Sequence, residues 1–230
     1  MKTIHVLQSR ITKTVRPVFL IYSNNIFSLY EYSFDDLNNY SSVKLIQHKN
    51  YSLEDTSITS QDILDVLNMA AIIPEPDAIP FPQADNCERV INLCELMSGH
   101  SMSKPEITAQ YDFTSRQADY YAKAALYLGL AEKKSHDGKT VYTLTSQGRK
   151  IMGMSYRKRQ LSLCRLILSH KVFGDVMTLY FSRGIIPDIN ETENIMQSSQ
   201  IHSIVSGSTF YRRAQTVRKW AEWIAELITE

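Results

Sequence analysis

Apolar positions along the chain follow two rhythms. Up to about residue 50 they run as in strands: Val18 to Tyr22, then Ile26 to Tyr32, joined by Asn24-Asn25. An Asn-Asn pair tolerates positive φ, so a tight hairpin is expected there. Val43 to His48 predicts a third strand. From Ser60 the apolar spacing changes to three and four, the period of a helix with one buried face. Ser60 to Ile72 predicts a helix with Ile63, Leu64, Val66, Leu67 and Ala70 inward. Cys87 to Met97 predicts the next, ending at Ser98-Gly99, with the glycine as a left-handed cap. Ser103 reads as an N-cap, with Pro105 in the first turn and Glu106 completing a capping box. A further helix starts at Thr114 or Ser115 and closes at Gly129. Leu130 to Lys134 and Thr140 to Leu144 then pair across a turn at Asp137-Gly138. From Ser146 the pattern is helical throughout, ending in a long helix capped by Ser208 or Thr209 and running to about Ile228.

Helix, turn, helix, helix and hairpin over residues 86–148 is the order of a winged helix-turn-helix. The expected fold class is therefore α+β: a small β-hairpin and sheet module with a helix at 1–72, then a mainly α winged region at 86–148 with extra helices at 149–230. Between them, residues 73–85 carry four prolines, which remove donors and fix φ. They predict a stiff spacer between two modules. Glu191 to Ser198 plus the final helix fits a diverged second helix-turn-helix, and equally a plain helical extension.

Charge changes the picture more than composition does. A hydrophobic content of 43% in 230 residues supports an ordinary core, and the net charge is only +1. Residues 1–85, however, hold 6 Lys/Arg against 10 Asp/Glu, and residues 86–230 hold 19 against 14. The basic half is the half with the winged order, and phosphate binding depends on local charge. On the third helix of that order Arg116, Tyr120, Lys123 and Tyr127 fall on one face, opposite Ala118, Ala122 and Ala125, with Gln117 beside Arg116 near the N-terminal end that usually meets the major groove. The hairpin adds Lys133, Lys134, His136 and Lys139, suited to the sugar-phosphate backbone. The final helix gathers Tyr211, Arg212, Arg213, Gln215, Arg218 and Lys219 in its first half, against a buried stripe of Phe210, Ala214, Val217, Ala221, Ile224 and Ile228. Trp220 and Trp223 read as packing or oligomer contacts. The same faces also suit a winged helix that docks only protein.

No apolar run reaches the ~18 residues of a membrane span, and the start MKTIHVLQSR has no signal-peptide pattern, so a cytoplasmic protein is expected. Cys87, Cys94 and Cys164 lack metal-ligand spacing and read as free buried thiols. No phosphate loop, His-Glu-x-x-His, Cys-x-x-Cys or nucleophile elbow occurs, so no catalytic residue, cofactor or metal is assigned.

The run Arg16 to Tyr32, continuing through Asn39 to Ser42 and Lys44-Leu45, resembles the distal part of the nuclease-like PD-(D/E)XK domain in type II restriction-enzyme-like proteins. Glu88-Arg89-Val90, Arg116 to Tyr121, Tyr127 to Leu130, Leu144-Thr145, Leu168 to His170, Phe173 and Arg212 to Trp220 are similar to the helical DNA-binding region that follows it there. The resemblance implies a restriction or phage-defence role in which the C-terminal part grips double-stranded DNA. It also implies metal-binding acids ahead of the Tyr22 to Tyr32 hairpin, where this sequence has no Asp or Glu. The expectation is accordingly a DNA-binding accessory or specificity subunit working with another protein subunit or as a homodimer. The alternatives are a protein-interaction subunit and a Mg²⁺-dependent nuclease drawing on Glu31, Asp35 or Asp36.

Overall fold

The structure is a computed structural model that describes residues 5–6, 18–23, 26–34, 43–52, 56–111, 114–136, 139–199, 201 and 207–229, the first four segments and residues 136, 207 and 208 as backbone. It is α+β and helix-dominated, and it divides into two units, Met1–Ser57 and Ile58–Glu230.

The first unit is an antiparallel sheet in chain order: β1 (His5–Val6), β2 (Val18–Ser23), β3 (Ile26–Phe34) and β4 (Val43–Ser52). Ser23 pairs with Ile26, the register of the expected two-residue hairpin, whose Asn24-Asn25 lies outside the described residues. A bulge interrupts β3 against β4 between Glu31 and Tyr32. Asp35 and Asp36 also lie outside the described residues.

The second unit opens with α1 (Ser60–Met69). Thr59 and Asp62 close a capping box on it, and Asp62 also pairs with Arg157. That arginine belongs to α6 (Tyr156–Leu168), against which α1 packs, as it does against α7 (Lys171–Arg183). The helix expected to complete the first module is thus part of the second, and the chain divides at residues 57/58 instead of 73–85.

Residues 73–85 are likewise no spacer. They form a strap laid across the helices: the Ile73 N–H donates to the Ser169 carbonyl at 2.9 Å, and Phe81 and Ala84 are 3% and 1% exposed. Prolines exclude helix and central strand from such a segment, but an irregular chain can still bury side chains.

The winged order follows: α2 (Cys87–Leu96), β5 (Met102–Ser103), α3 (Lys104–Tyr111), α4 (Ser115–Tyr127), then β6 (Ala131–His136) and β7 (Lys139–Leu144), in a sheet ordered β5-β7-β6. β5 escapes sequence reading because two residues carry no alternation. His136 pairs with Lys139 across the wing turn, whose Asp137-Gly138 lies outside the described residues. Glu106 accepts from the Ser103 N–H and hydroxyl at 2.6 Å each, as expected. Gly99 is not the left-handed cap; among the described glycines, positive φ falls at Gly129 (66°) and Gly184 (76°).

After the wing come α5 (Ser146–Met152), α6, α7, α8 (Ile189–Ser198) and α9 (Gly207–Glu226). α8 packs on α9, as a second helix-turn-helix would have it, although most of their connection lies outside the described residues. One core cluster runs through the whole unit, with Trp220, Phe173, Leu93, Ile107 and Leu163 among its largest buried members. Each such side chain contributes roughly 1.5–3 kcal/mol by leaving water. All three cysteines are free and buried, and burial raises their thiol pKa values, that of Cys94 to about 12. Among the described residues no helix is long and apolar enough to cross a membrane.

Two outcomes are expected. A Cβ at Gly148 would lie 2.0 Å from the Leu130 carbonyl oxygen, a backbone atom that cannot swing aside, so Gly148→Ala should cost about 3 kcal/mol in urea unfolding. The Asp62 carboxyl is held below its usual value by the Thr59 N–H and by Arg157, against the opposing effect of burial. Its stabilisation is therefore present above the unfolded-state pKa and lost as pH falls through the lower folded-state one. Asp62→Asn should be less stable than the parent at neutral pH, with the gap closing below about pH 4 in thermal melts.

Candidate nucleic-acid interface

α4 carries its small residues inward, Ala118, Ala124 and Ala125 at 0% exposure, which lets the helix lie close to α2 and α3. Its outward side holds Arg116, Asp119, Tyr120 and Lys123. The Arg116 guanidinium donates through Nε to the Tyr120 hydroxyl and lies 5.4 Å from the centre of that ring. Lys123 pairs with Asp119 at 2.6 Å.

Two expected members of this face are placed otherwise. Gln117 is exposed, but its carboxamide oxygen accepts from the Thr114 N–H at 2.9 Å and the Thr114 hydroxyl at 3.0 Å, so it closes the helix N-terminus instead of facing a groove. Tyr127 is buried: its hydroxyl donates to Glu75 at 2.7 Å and its ring stacks on His170 at 4.0 Å. The helical period put it outward; the strap, read as a spacer, covers it. Burial, with the Glu75 carboxylate adding to it, holds the Tyr127 phenol well above its usual pKa.

On the wing, Lys133 and Lys139 are exposed, and Lys134 pairs with Glu132 at 3.0 Å. The Lys133 ammonium lies 5.8 Å from the ring centre of Tyr142, its cross-strand partner within the hairpin.

α9 turns Arg212, Gln215 and Lys219 outward, and its expected apolar stripe is in the core. Arg213 is the correction. At 7% exposure it lies inside the unit, because around the helix it falls between the buried positions Thr216 and Val217. Its Nε and Nη1 have no hydrogen-bond partner among the described residues, and burial lowers its pKa from the usual guanidinium value. Arg218 is half-buried, its Nε donating to the Pro187 carbonyl at 2.9 Å. Lys219 pairs with Glu222 at 2.7 Å. Trp220 is fully buried, its indole N–H donating to the Ala84 carbonyl at 2.7 Å.

That hydrogen bond sets the strap against α9, and together with α4 they enclose a cleft of about 480 Å³. Tyr120 lines it from α4, Gln83 and Asp85 from the strap, and Arg212, Gln215, Thr216, Arg218, Lys219 and Glu222 from α9. The two basic helices that the sequence offers separately thus share one wall-to-wall site through Tyr120 and Arg212. Glu222 and Thr216 could have been found, since they follow Arg212 and Lys219 at helical spacing. Gln83 and Asp85 lie in irregular chain and gave no signal.

Residues 89–229, more than half of the chain, match the family described as Domain of unknown function (DUF7226), and residues 4–52 match Domain of unknown function (DUF6997). No curated protein and no solved structure gives a significant match.

The capping role of Gln117 predicts a stability signature. Gln117→Ala should lower stability by about 1 kcal/mol, whereas Gln117→Glu, which preserves the capping box, should leave the melting temperature near that of the parent.

Proposed function

The chain belongs to the DUF7226 family of domains of unknown function, and we propose that it is a DNA-binding accessory or specificity subunit of a cytoplasmic restriction or phage-defence system. The observation that carries this reading is the polar surface around the cleft, on which the exposed Arg212, Gln215 and Lys219 of α9 come together with Tyr120 of α4. Arg116 extends that surface along α4, and Lys133, above the Tyr142 ring, carries it to the wing with Lys134 and Lys139. The footprint is therefore longer than one recognition helix.

Several of these cations are already paired, Lys123 with Asp119, Lys134 with Glu132 and Lys219 with Glu222. Such exposed pairs contribute only ~0.2–1 kcal/mol each, so exchanging a carboxylate for a phosphate is cheap. Counterion release from DNA would favour it further. A subunit role in restriction or defence is supported by the resemblance of residues 16–45 to the distal part of a nuclease-like domain and by the basic charge of residues 86–230.

A protein-interaction subunit is the second reading. It is favoured by Met69 and Ile72, 68% and 59% exposed next to the strap, which DNA binding does not use.

Fluorescence anisotropy with duplex DNA across a salt series separates the two. Replacing Lys133 and Lys134 together by Ala should weaken binding to every sequence and lower the salt slope by about 2, whereas Arg116→Ala should alter sequence preference. Absence of binding at low salt would sink the DNA reading and leave the protein-docking one.

A further inference from the structure

The cleft between α4, α9 and the strap is concave, whereas the backbone of a duplex is convex and is met by helices and wings that protrude. Its volume of about 480 Å³ lies within the roughly 300–1,000 Å³ usual for pockets that enclose a small ligand. Its charges are mostly engaged. Glu222 holds Lys219 at 2.7 Å and stands 3.6 Å from Nη2 of Arg218, whose Nε is on the Pro187 carbonyl. Asp85 accepts from the Tyr121 hydroxyl at 3.3 Å.

Arg212 is different: its guanidinium has no partner among the described residues, and a guanidinium fork fits a single phosphate bidentately. Gln83 and Gln215 also have no side-chain partner among the described residues. A carboxamide presents a donor and an acceptor side by side, the pattern that pairs with the edge of a base.

A second observation points the same way. Arg213, one residue on from Arg212 and close to Tyr120, is buried with Nε and Nη1 unpartnered among the described residues. A buried cation with unmatched N–H groups is costly, and an anion in the neighbouring cleft would offset it through a poorly screened interior.

We propose that the cleft takes one nucleoside monophosphate unit, with its phosphate on Arg212 and its base edge on Gln83 and Gln215. The unit comes either from a free mononucleotide or from an unpaired nucleotide at the end of a DNA strand. This assignment rests on the cleft and stands apart from the duplex grip of the wing.

Titration calorimetry with each of the four deoxynucleoside monophosphates and with inorganic phosphate tests the first source. Anisotropy with a blunt duplex and with the same duplex bearing a 5′ overhang tests the second. At least one nucleotide, or the overhang in preference to the blunt end, should bind, and Arg212→Ala should weaken that binding about tenfold or more. Gln215→Leu should change which base is favoured. Arg213→Met should hold or raise the melting temperature while weakening the nucleotide, where a purely structural arginine would lower the melting temperature and leave binding alone. Inorganic phosphate binding as tightly as every nucleotide, binding unchanged in Arg212→Ala, or neither nucleotide nor overhang recognised would each overturn the assignment. Binding of the blunt duplex and its dependence on Lys133 and Lys134 would survive all three.

Discussion

The helical unit depends on the way its final helix is tied to a segment more than a hundred residues earlier. Trp220 stacks on Phe173 at 5.2 Å between ring centres, Phe173 stacks on Phe81 at 5.8 Å, and Phe81 meets Tyr127 edge-on at 5.6 Å. The indole N–H of Trp220 closes this ladder on the Ala84 carbonyl. One aromatic column therefore joins α9, α7, the strap and α4, and aromatic pairs of this kind add roughly 0.5–1.5 kcal/mol each beyond area burial. Breaking the column at any rung would release the wall that carries Gln83 and Asp85, so the geometry of the cleft is inherited from the core.

Much of this fold was legible because local rules and burial agree. Thr114 and Ser103 stand at helix starts where a short polar side chain precedes an apolar period, and Ala118, Ala122 and Ala125 mark the face on which α4 comes close to its neighbours. Legibility ended where a segment takes its conformation from long-range contact. Residues 73–85 have the prolines of a linker, yet Phe81 and Ala84 make them core. That single misjudgement moves the unit boundary and hides Tyr127. Arg213 fails for a related reason: a basic residue among other basic residues reads as surface, and only the rotation of α9 against α7 and α8 turns it inward.

The candidate site shows the same division. Sequence nominates side chains by type and spacing, Arg116, Tyr120, Arg212 and Lys219 among them. It cannot say which nominees are already engaged. Gln117 closes a helix end, and Arg218 holds the Pro187 carbonyl. What distinguishes Arg212 and Gln215 from their neighbours is the partner they lack among the described residues, a property that exists only once the chain is folded.

The three buried cysteines carry a consequence of a different kind. Cys87 and Cys94 sit on α2 in the winged part and Cys164 on α6 among the following helices, all sealed from water, with thiols that resist ionisation. The reactive form is the thiolate, so a thiol reagent must wait until the interior opens. The molecule thus holds native clocks for its own breathing. Comparing their rates would reveal whether winged part and helical extension loosen together, as the aromatic column requires, or come apart one after the other.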